Sequence, residues 1–204
     1  MYLVKTPHYL KRLYPSLIWD LQKDQGIYLT FDDGPVPDVT EKVLDILRYY
    51  AVQATFFCIG KNVAAHPDIF ERIKTEGHAI GNHTQNHLNG WKTENVSYFR
   101  DVLTCADQVN STLFRPPYGR IGYHQIQYLR KKFRIVMWDV LSGDFDTHIH
   151  ADTCTEHVLQ NTVEGSIIVY HDSEKAKARV LPSIEKVIPE LLAKGFIFKT
   201  IPQE

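Results

Sequence analysis

Ile27-Tyr28-Leu29-Thr30-Phe31-Asp32-Asp33-Gly34-Pro35 is an apolar run that ends in two adjacent carboxylates and then in two residues that force a turn. A run apolar on both faces belongs to a strand covered on both sides, the ordinary condition of a parallel sheet. Directly after it, Val39, Val43, Ile46, Leu47 and Tyr50 recur at helical spacing, with Asp38 or Thr40 available as N-cap. The first unit is therefore strand, acidic turn, amphipathic helix.

Working outward, the same alternation repeats. Apolar runs begin at Ile27, Ala54, His78, Thr112, Arg134, Ser166 and Phe196, which makes seven predicted strands. Between them the spacing predicts helices over 67–76, 94–109, 123–133, 152–161 and 180–194, with Pro182 in a first turn and Pro189 at a kink. Polar residues end these runs: Asp32 and Asp33 the first, His83 the third, Arg115 the fourth, Asp139 the fifth, His171 the sixth. An open sheet would spread these groups along an edge, whereas a barrel gathers C-terminal strand ends on one face. Seven strands is one short of the regular form, so the fold expected is α/β, a distorted and incompletely closed (β/α) barrel. One domain is expected over residues 1–204, its core about 27–201, with residues 1–26 as an extension packed on it.

Composition narrows the function. The chain has 204 residues, 44% hydrophobic and 12% aromatic, and a formal net charge of -1 without a basic stripe, which argues against a nucleic-acid partner. Cys58, Cys105 and Cys154 form an odd, widely spaced set with no metal-finger spacing, and are expected as small buried hydrophobes. The N-terminus carries positive charge but no unbroken apolar stretch of signal-peptide length, so a cytoplasmic location is expected. No run approaches the roughly 20 apolar residues of a transmembrane helix. Tyr9, Leu10, Leu13, Leu17 and Ile18 are expected to line one face that packs on the domain.

The chemistry sits in the clusters. In Asp32-Asp33, neighbouring side chains point different ways, so one can ligate a cation while the other stays free as a base. His83 and His87 lie four apart, within reach of one cation on a helical turn or a tight loop. Imidazole with carboxylate suits Zn²⁺, or Co²⁺ in its place, and three protein ligands leave a position open for water. Arg115 precedes the rigid Pro116-Pro117-Tyr118-Gly119 turn, where it can grip a carboxylate and where turn amides can face an oxyanion. His171 ends a buried strand, as a proton carrier or a further ligand. His8, His66, His78, His124, His148, His150 and His157 lack such company and are expected to be structural.

TFDDGP, HTQNH, RPPYG, WDVLSGDF and IIVYHD follow one another in the order and spacing of the polysaccharide deacetylase family, carbohydrate esterase family 4, which the chain resembles from Ile27 to Ile201. That resemblance implies a distorted seven-stranded (β/α) barrel that removes N-acetyl or O-acetyl groups from carbohydrate. By position, Asp32 is similar to the family's general base, and Asp33, His83 and His87 to its metal ligands. Arg115 is similar to the arginine that orients the base, Tyr118 to the residue whose amide faces the oxyanion, and His171 to the general acid. Asp144 resembles the carboxylate that partners His171, with Asp139 as the other candidate. The chain departs from the family in having Phe145 after Asp144 where Trp is frequent, Tyr170 before His171 where an aliphatic residue is frequent, and Leu141 where a second acid is common. Phe145 and Tyr170 are therefore expected in the substrate pocket. The function expected is metal-dependent deacetylation of an acetylated carbohydrate. Hydrolysis of another non-peptide amide, or metal or sugar binding without catalysis, are the alternatives, because a fold alone does not fix a substrate.

Overall fold

The computed structural model describes residues 2–22 and 25–203. In chain order its elements are α1 (His8–Leu13), β1 (Tyr28–Asp32), α2 (Val39–Tyr49), β2 (Thr55–Cys58), α3 (Gly60–Ala65), α4 (Pro67–Thr75), β3 (Ala79–Asn82), α5 (Asn95–Val109), β4 (Leu113–Phe114), a 3₁₀ turn (Pro117–Gly119), α6 (Tyr123–Leu129), β5 (Arg134–Ile135), β6 (Val140–Leu141), α7 (Ala151–Asn161), β7 (Ile167–His171) and α8 (Lys177–Ala193). The seven strands among the described residues form one parallel sheet in the order β5-β4-β3-β2-β1-β7-β6. The sheet curls into a distorted (β/α) barrel and stays open between β5 and β6.

The opening has a chain-length cause. Parallel neighbours need a crossover of about a dozen residues or more, and only Val136–Asp139 separate β5 from β6. The N-terminal segment fills the seam. Ile18 bridges Val136 in parallel and Lys5 bridges Val140 in antiparallel fashion. Met137 N–H donates to the Ile18 carbonyl at 2.7 Å, and Leu141 N–H to the Val4 carbonyl at 2.8 Å. Backbone groups at the open edge thus find partners that a closed barrel would have supplied from a strand.

Three expectations are corrected. The run from Arg134 to Asp139 was expected as one strand; it breaks after Ile135, and pairing resumes at Val140, as β6. The run from Phe196 to Ile201 was expected as the seventh strand; it makes only a bridge from Phe198 to Ile27. β1 already has β2 on one side and β7 on the other, so the C-terminal tail finds free backbone only below the start of β1. Pro182 lies inside α8 instead of in its first turn, because the helix begins at Lys177. The short α3 was not anticipated, and of the N-terminal stripe expected to pack on the domain Leu10, Leu17 and Ile18 do so, whereas Tyr9 and Leu13 on α1 are exposed.

Strand alternation divides each strand between two cores. On β1, Leu29 and Phe31 face outward to the cluster under α2 and α8, with Val43, Leu47, Ile184 and Val187. Tyr28 faces inward and, with Phe57, Leu113, Val136, Ile167 and Ile201, plugs the bottom of the barrel. This parity leaves Thr30 and Asp32 pointing up the barrel axis above the plug.

Asp139 anchors the seam. Its side chain is buried, and its carboxylate accepts from Lys5 Nζ, Lys11 Nζ and Ser166 Oγ, each at 2.6 Å. Burial opposes the charge, but hydrogen bonds from Lys11, Lys5 and Ser166 outweigh it and hold the carboxyl below its usual value. A lowered carboxylate contributes stability above its unfolded value of about 3.9, lost as pH falls through the folded one. Asp139→Asn is expected to lower the unfolding free energy by about 2–3 kcal/mol at neutral pH. Urea titrations of the two proteins should converge at strongly acidic pH, where both side chains are neutral.

Candidate active site

The C-terminal ends of β1, β3, β4 and β7 surround a cavity of about 460 Å³. Asp32, Asp33, His83, His87, Tyr118 and His171 line it, with Phe145, Leu141 and Val169 among its apolar walls and Arg120 and Lys175 among its polar ones.

Arg115 lies beneath this floor, with no solvent exposure. Nη1 donates to Asp32 Oδ1 at 2.7 Å and to Thr30 Oγ1 at 2.7 Å; Nη2 donates to the Met137 carbonyl at 3.0 Å; the guanidinium lies 4.0 Å from the centre of the Phe57 ring. Burial lowers its pKa, and the charge of Asp32 works against that. One Asp32 oxygen is thereby committed to Arg115. The same residue also sets a second group, because its backbone carbonyl accepts from His83 Nδ1 at 2.8 Å. A carbonyl can only accept, so Nδ1 carries the proton and Nε2 presents a lone pair to the cavity. Burial pushes His83 down to about 4, which keeps the ring neutral.

His83 Nε2 and His87 Nε2 stand 3.7 and 3.2 Å from Asp33 Oδ1, and one donor atom from each of the three residues falls within 4.8 Å of the others. Asp33 Oδ1 is buried without a hydrogen bond of good geometry. Burial disfavours charge on Asp33, yet His87 beside it, then His171 and His83, hold its carboxyl well below the usual range. A charged oxygen facing two imidazole nitrogens, unsatisfied by the protein, fits a divalent transition metal.

The loops that carry these groups are braced from behind. His83 to His87 is a tight loop, with Thr84 at φ 65° and His87 at φ 57°. Asp101 on α5 holds it, accepting from the Asn86 amide nitrogen at 3.0 Å and from Asn86 Nδ2 at 2.6 Å. Asp33 has φ 88°, and Asn62 on α3 donates to its carbonyl at 2.7 Å. Tyr118, at φ 61°, sits in the turn after Arg115 with its ring 4.6 Å from that of His87.

Across the cavity, His171 Nδ1 is 2.8 Å from Asp144 Oδ1, and the His171 backbone N–H donates to Asp144 Oδ2 at 2.7 Å. Burial disfavours the imidazolium, but the charge and hydrogen bond of Asp144, with Asp33 and Asp32 adding, push His171 up to about 10. Asp139, the other candidate partner, is occupied at the seam. Phe145 packs edge-on against His171 at 5.4 Å.

Tyr170 is a correction. It is fully buried in the outer core, its ring stacked on Phe31 and its hydroxyl 2.7 Å from Ser183 Oγ. Pairing of Asp32 with His171 and of Phe31 with Tyr170 fixes the parity, so with His171 inward its neighbour must face the helices. Of the remaining histidines, buried His78 accepts from the Ala54 amide, while His148 is exposed.

A model of the polysaccharide deacetylase family matches residues 21–133. The chain belongs to that family. This family member is 38% identical over 184 residues to a peptidoglycan-N-acetylglucosamine deacetylase of Bacillus cereus, covering 86% of the chain and 66% of that relative. It is 33% identical over 200 residues to a chitooligosaccharide deacetylase of Azorhizobium caulinodans, covering 89% and 95%. A solved peptidoglycan N-acetylglucosamine deacetylase superposes with a TM-score of 0.89 at 34% identity, covering 97% of this chain and 95% of that one. The match to the family model stops short of Asp144 and His171, which join the site through the sheet.

Asp172 was not singled out by its sequence, although it adjoins His171. Its Oδ1 accepts from the Gly34 amide at 3.0 Å and its Oδ2 from Thr40 Oγ1 at 2.6 Å. A Cβ at Gly34 would lie 1.9 Å from Asp172 Oδ2. Burial, opposed by Thr40 and reinforced by Asp33, pushes the Asp172 carboxyl up to about 8. Gly34→Ala should cost about 1–3 kcal/mol through this clash. If it does, adding Asp172→Ala should recover part of the loss, which a double-mutant cycle in urea would measure.

Proposed function

We propose that this chain is a metal-dependent hydrolase that removes the acetyl group from N-acetylated carbohydrate. The observation that carries this reading is the division of one cavity into an Asp33-His83-His87 cluster, a carboxylate held by Arg115, and an imidazole paired with Asp144 on the opposite wall. Membership of the polysaccharide deacetylase family, with relatives named for peptidoglycan and chitooligosaccharide deacetylation, supports the substrate class.

In this reading Asp33, His83 and His87 hold the metal, for which the donor set favours Zn²⁺ or Co²⁺. When bound, such an ion supplies Lewis acidity that lowers the pKa of water and polarises a carbonyl. Asp32 takes the proton of the attacking water with the oxygen not engaged by Arg115, which keeps that carboxylate aimed. The Tyr118 amide, turned by its positive φ, faces the oxyanion that forms as the carbonyl is attacked. His171, cationic beside Asp144, protonates the departing nitrogen, since an amine anion is a very poor leaving group. Phe145 lines the cavity beside His171 and is assigned here to the substrate pocket.

Acetate release from N-acetylated glycans and from small acetamides, with metal-loaded and chelator-stripped protein, tests the reading. Release from the glycans with the metal alone is expected. Full activity in stripped protein would remove the metal from the mechanism, and release from the acetamides alone would remove the sugar.

The two aspartates should separate. Asp33→Ala is expected to lower bound Zn²⁺ or Co²⁺ by elemental analysis and activity with it, whereas Asp32→Asn should keep the metal and lose roughly 10²- to 10⁴-fold in turnover. The opposite pattern would exchange their roles.

The acid has a pH signature. Asp144 holds the His171 imidazolium above its ordinary range, so its working form is depleted only as pH rises through that raised value. Asp144→Asn removes the charge that raises it and is expected to move the alkaline limb of the kcat profile toward lower pH. An alkaline limb unmoved by that substitution would show that another group sets it.

A further inference from the structure

A second concavity, about 550 Å³, opens between α1 and the barrel and joins the catalytic cavity through four shared wall residues, Tyr2, Tyr118, Trp138 and Leu141. Its volume is that of a small-molecule site, roughly 300–1,000 Å³. The three tryptophans of the chain, Trp19, Trp91 and Trp138, all line it. Leu17, Ile126 and Met137 make a buried floor, and Leu13, Trp91 and Tyr118 form a rim that is more than half exposed, at 65%, 68% and 60%. Nothing in the proposed reaction uses this space.

Its chemistry narrows the occupant. No charged side chain among the described residues lines it. Three of the polar groups that reach it are engaged within the protein, Trp19 Nε1 donating to the Tyr14 carbonyl at 3.1 Å, Trp91 Nε1 to the Ile121 carbonyl at 3.1 Å, and Thr6 Oγ1 to the Trp138 carbonyl at 2.7 Å, which leaves Trp138 Nε1 and the tyrosine hydroxyls as its polar groups. A sugar ring would bring several hydroxyls into a space with few groups to meet them, and desolvating them without partners is costly. A hydrocarbon or aryl group meets no such cost and gains by covering exposed Leu13 and Trp91.

We propose that this groove is an accessory ligand site for an apolar substituent, alkyl or aryl, carried by the sugar whose acetamide occupies the catalytic cavity. The proposal rests on the deacetylase reading for the position of the sugar. Continuity through Tyr2 and Tyr118 lets one ligand span both spaces, so the groove acts on binding and leaves the chemical step alone. It also gives the N-terminal segment a role beyond sealing the seam, since α1 supplies one wall.

The test pairs the octyl and methyl β-glycosides of N-acetylglucosamine, the octyl one below its micellar concentration. The expected result is a KM roughly tenfold or more lower for the octyl glycoside with kcat nearly the same, because the added burial is equal in ground and transition states. Leu13→Glu and Leu3→Glu, neither lining the catalytic cavity, should erase most of that difference while leaving the methyl glycoside kinetics as they were. Tryptophan fluorescence of chelator-stripped protein gives a readout independent of turnover, and a saturable change with the octyl but not the methyl glycoside is expected. Equal KM values, or a preference that survives both substitutions, would overturn the proposal. The same fluorescence change with a chitooligosaccharide of similar length would overturn it in favour of a sugar site. Failure to release acetate from either glycoside would count against the deacetylase reading, and the fluorescence titration would still decide the groove.

Discussion

A guanidinium buried at the centre of the barrel constrains everything above it. Arg115 is removed from water, so its donors must be met by the protein, and they are met by Asp32, Thr30 and the carbonyls of the segment that follows β5. An unpaired charge there would be prohibitively costly, and this cost makes the geometry specific. The plug below supplies the Phe57 face on which the guanidinium rests. The carboxylate above it is held in one orientation. Through its own carbonyl the same residue fixes the tautomer of His83, so one buried side chain and its backbone align both the proposed base and one of the proposed metal ligands.

The rest of the site is positioned by similar indirect supports. Asp101 on α5 shapes the loop of His83 and His87, Asp172 presses on Gly34 and bonds its amide, and Arg179 Nε donates at 2.6 Å to the Asp144 carbonyl behind His171. None of these three points at the reaction. Each ties a left-handed or tightly turned loop to a helix, which is how strained backbone at a site persists. Cys58, Cys105 and Cys154 are buried and unbridged.

The seam has a comparable logic. A link of four residues cannot carry a crossover, so the barrel stays open, and an extension that reads as an appendage becomes part of the wall. Asp139 fastens it with two lysines from the extension and the serine just before β7. That use of Asp139 leaves Asp144 as the partner of His171. Structural and chemical carboxylates are thus sorted by which cations the chain brings to them.

What the linear order of residues determined was whatever depends on local pattern: strand and helix periods, polar residues at C-terminal strand ends, the pairing of Asp32-Asp33 with the spacing of His83 and His87, and from these the barrel and its one reactive face. What only the tertiary structure decided depends on contacts far apart in sequence. Tyr170 looked like a pocket residue because it precedes His171, yet strand parity, locked by the pairing of β1 with β7, turns it into the outer core. The run at Phe196 has strand composition but no free strand edge to join, because both sides of β1 were already taken. Asp172, Asp101 and the aromatic groove under α1 carried no local signature, since each acquires its meaning from a partner 15 or more positions away, such as Asn86 for Asp101 and Gly34 for Asp172. Local periodicity can state which face of a strand is buried; only the assembled barrel states against what.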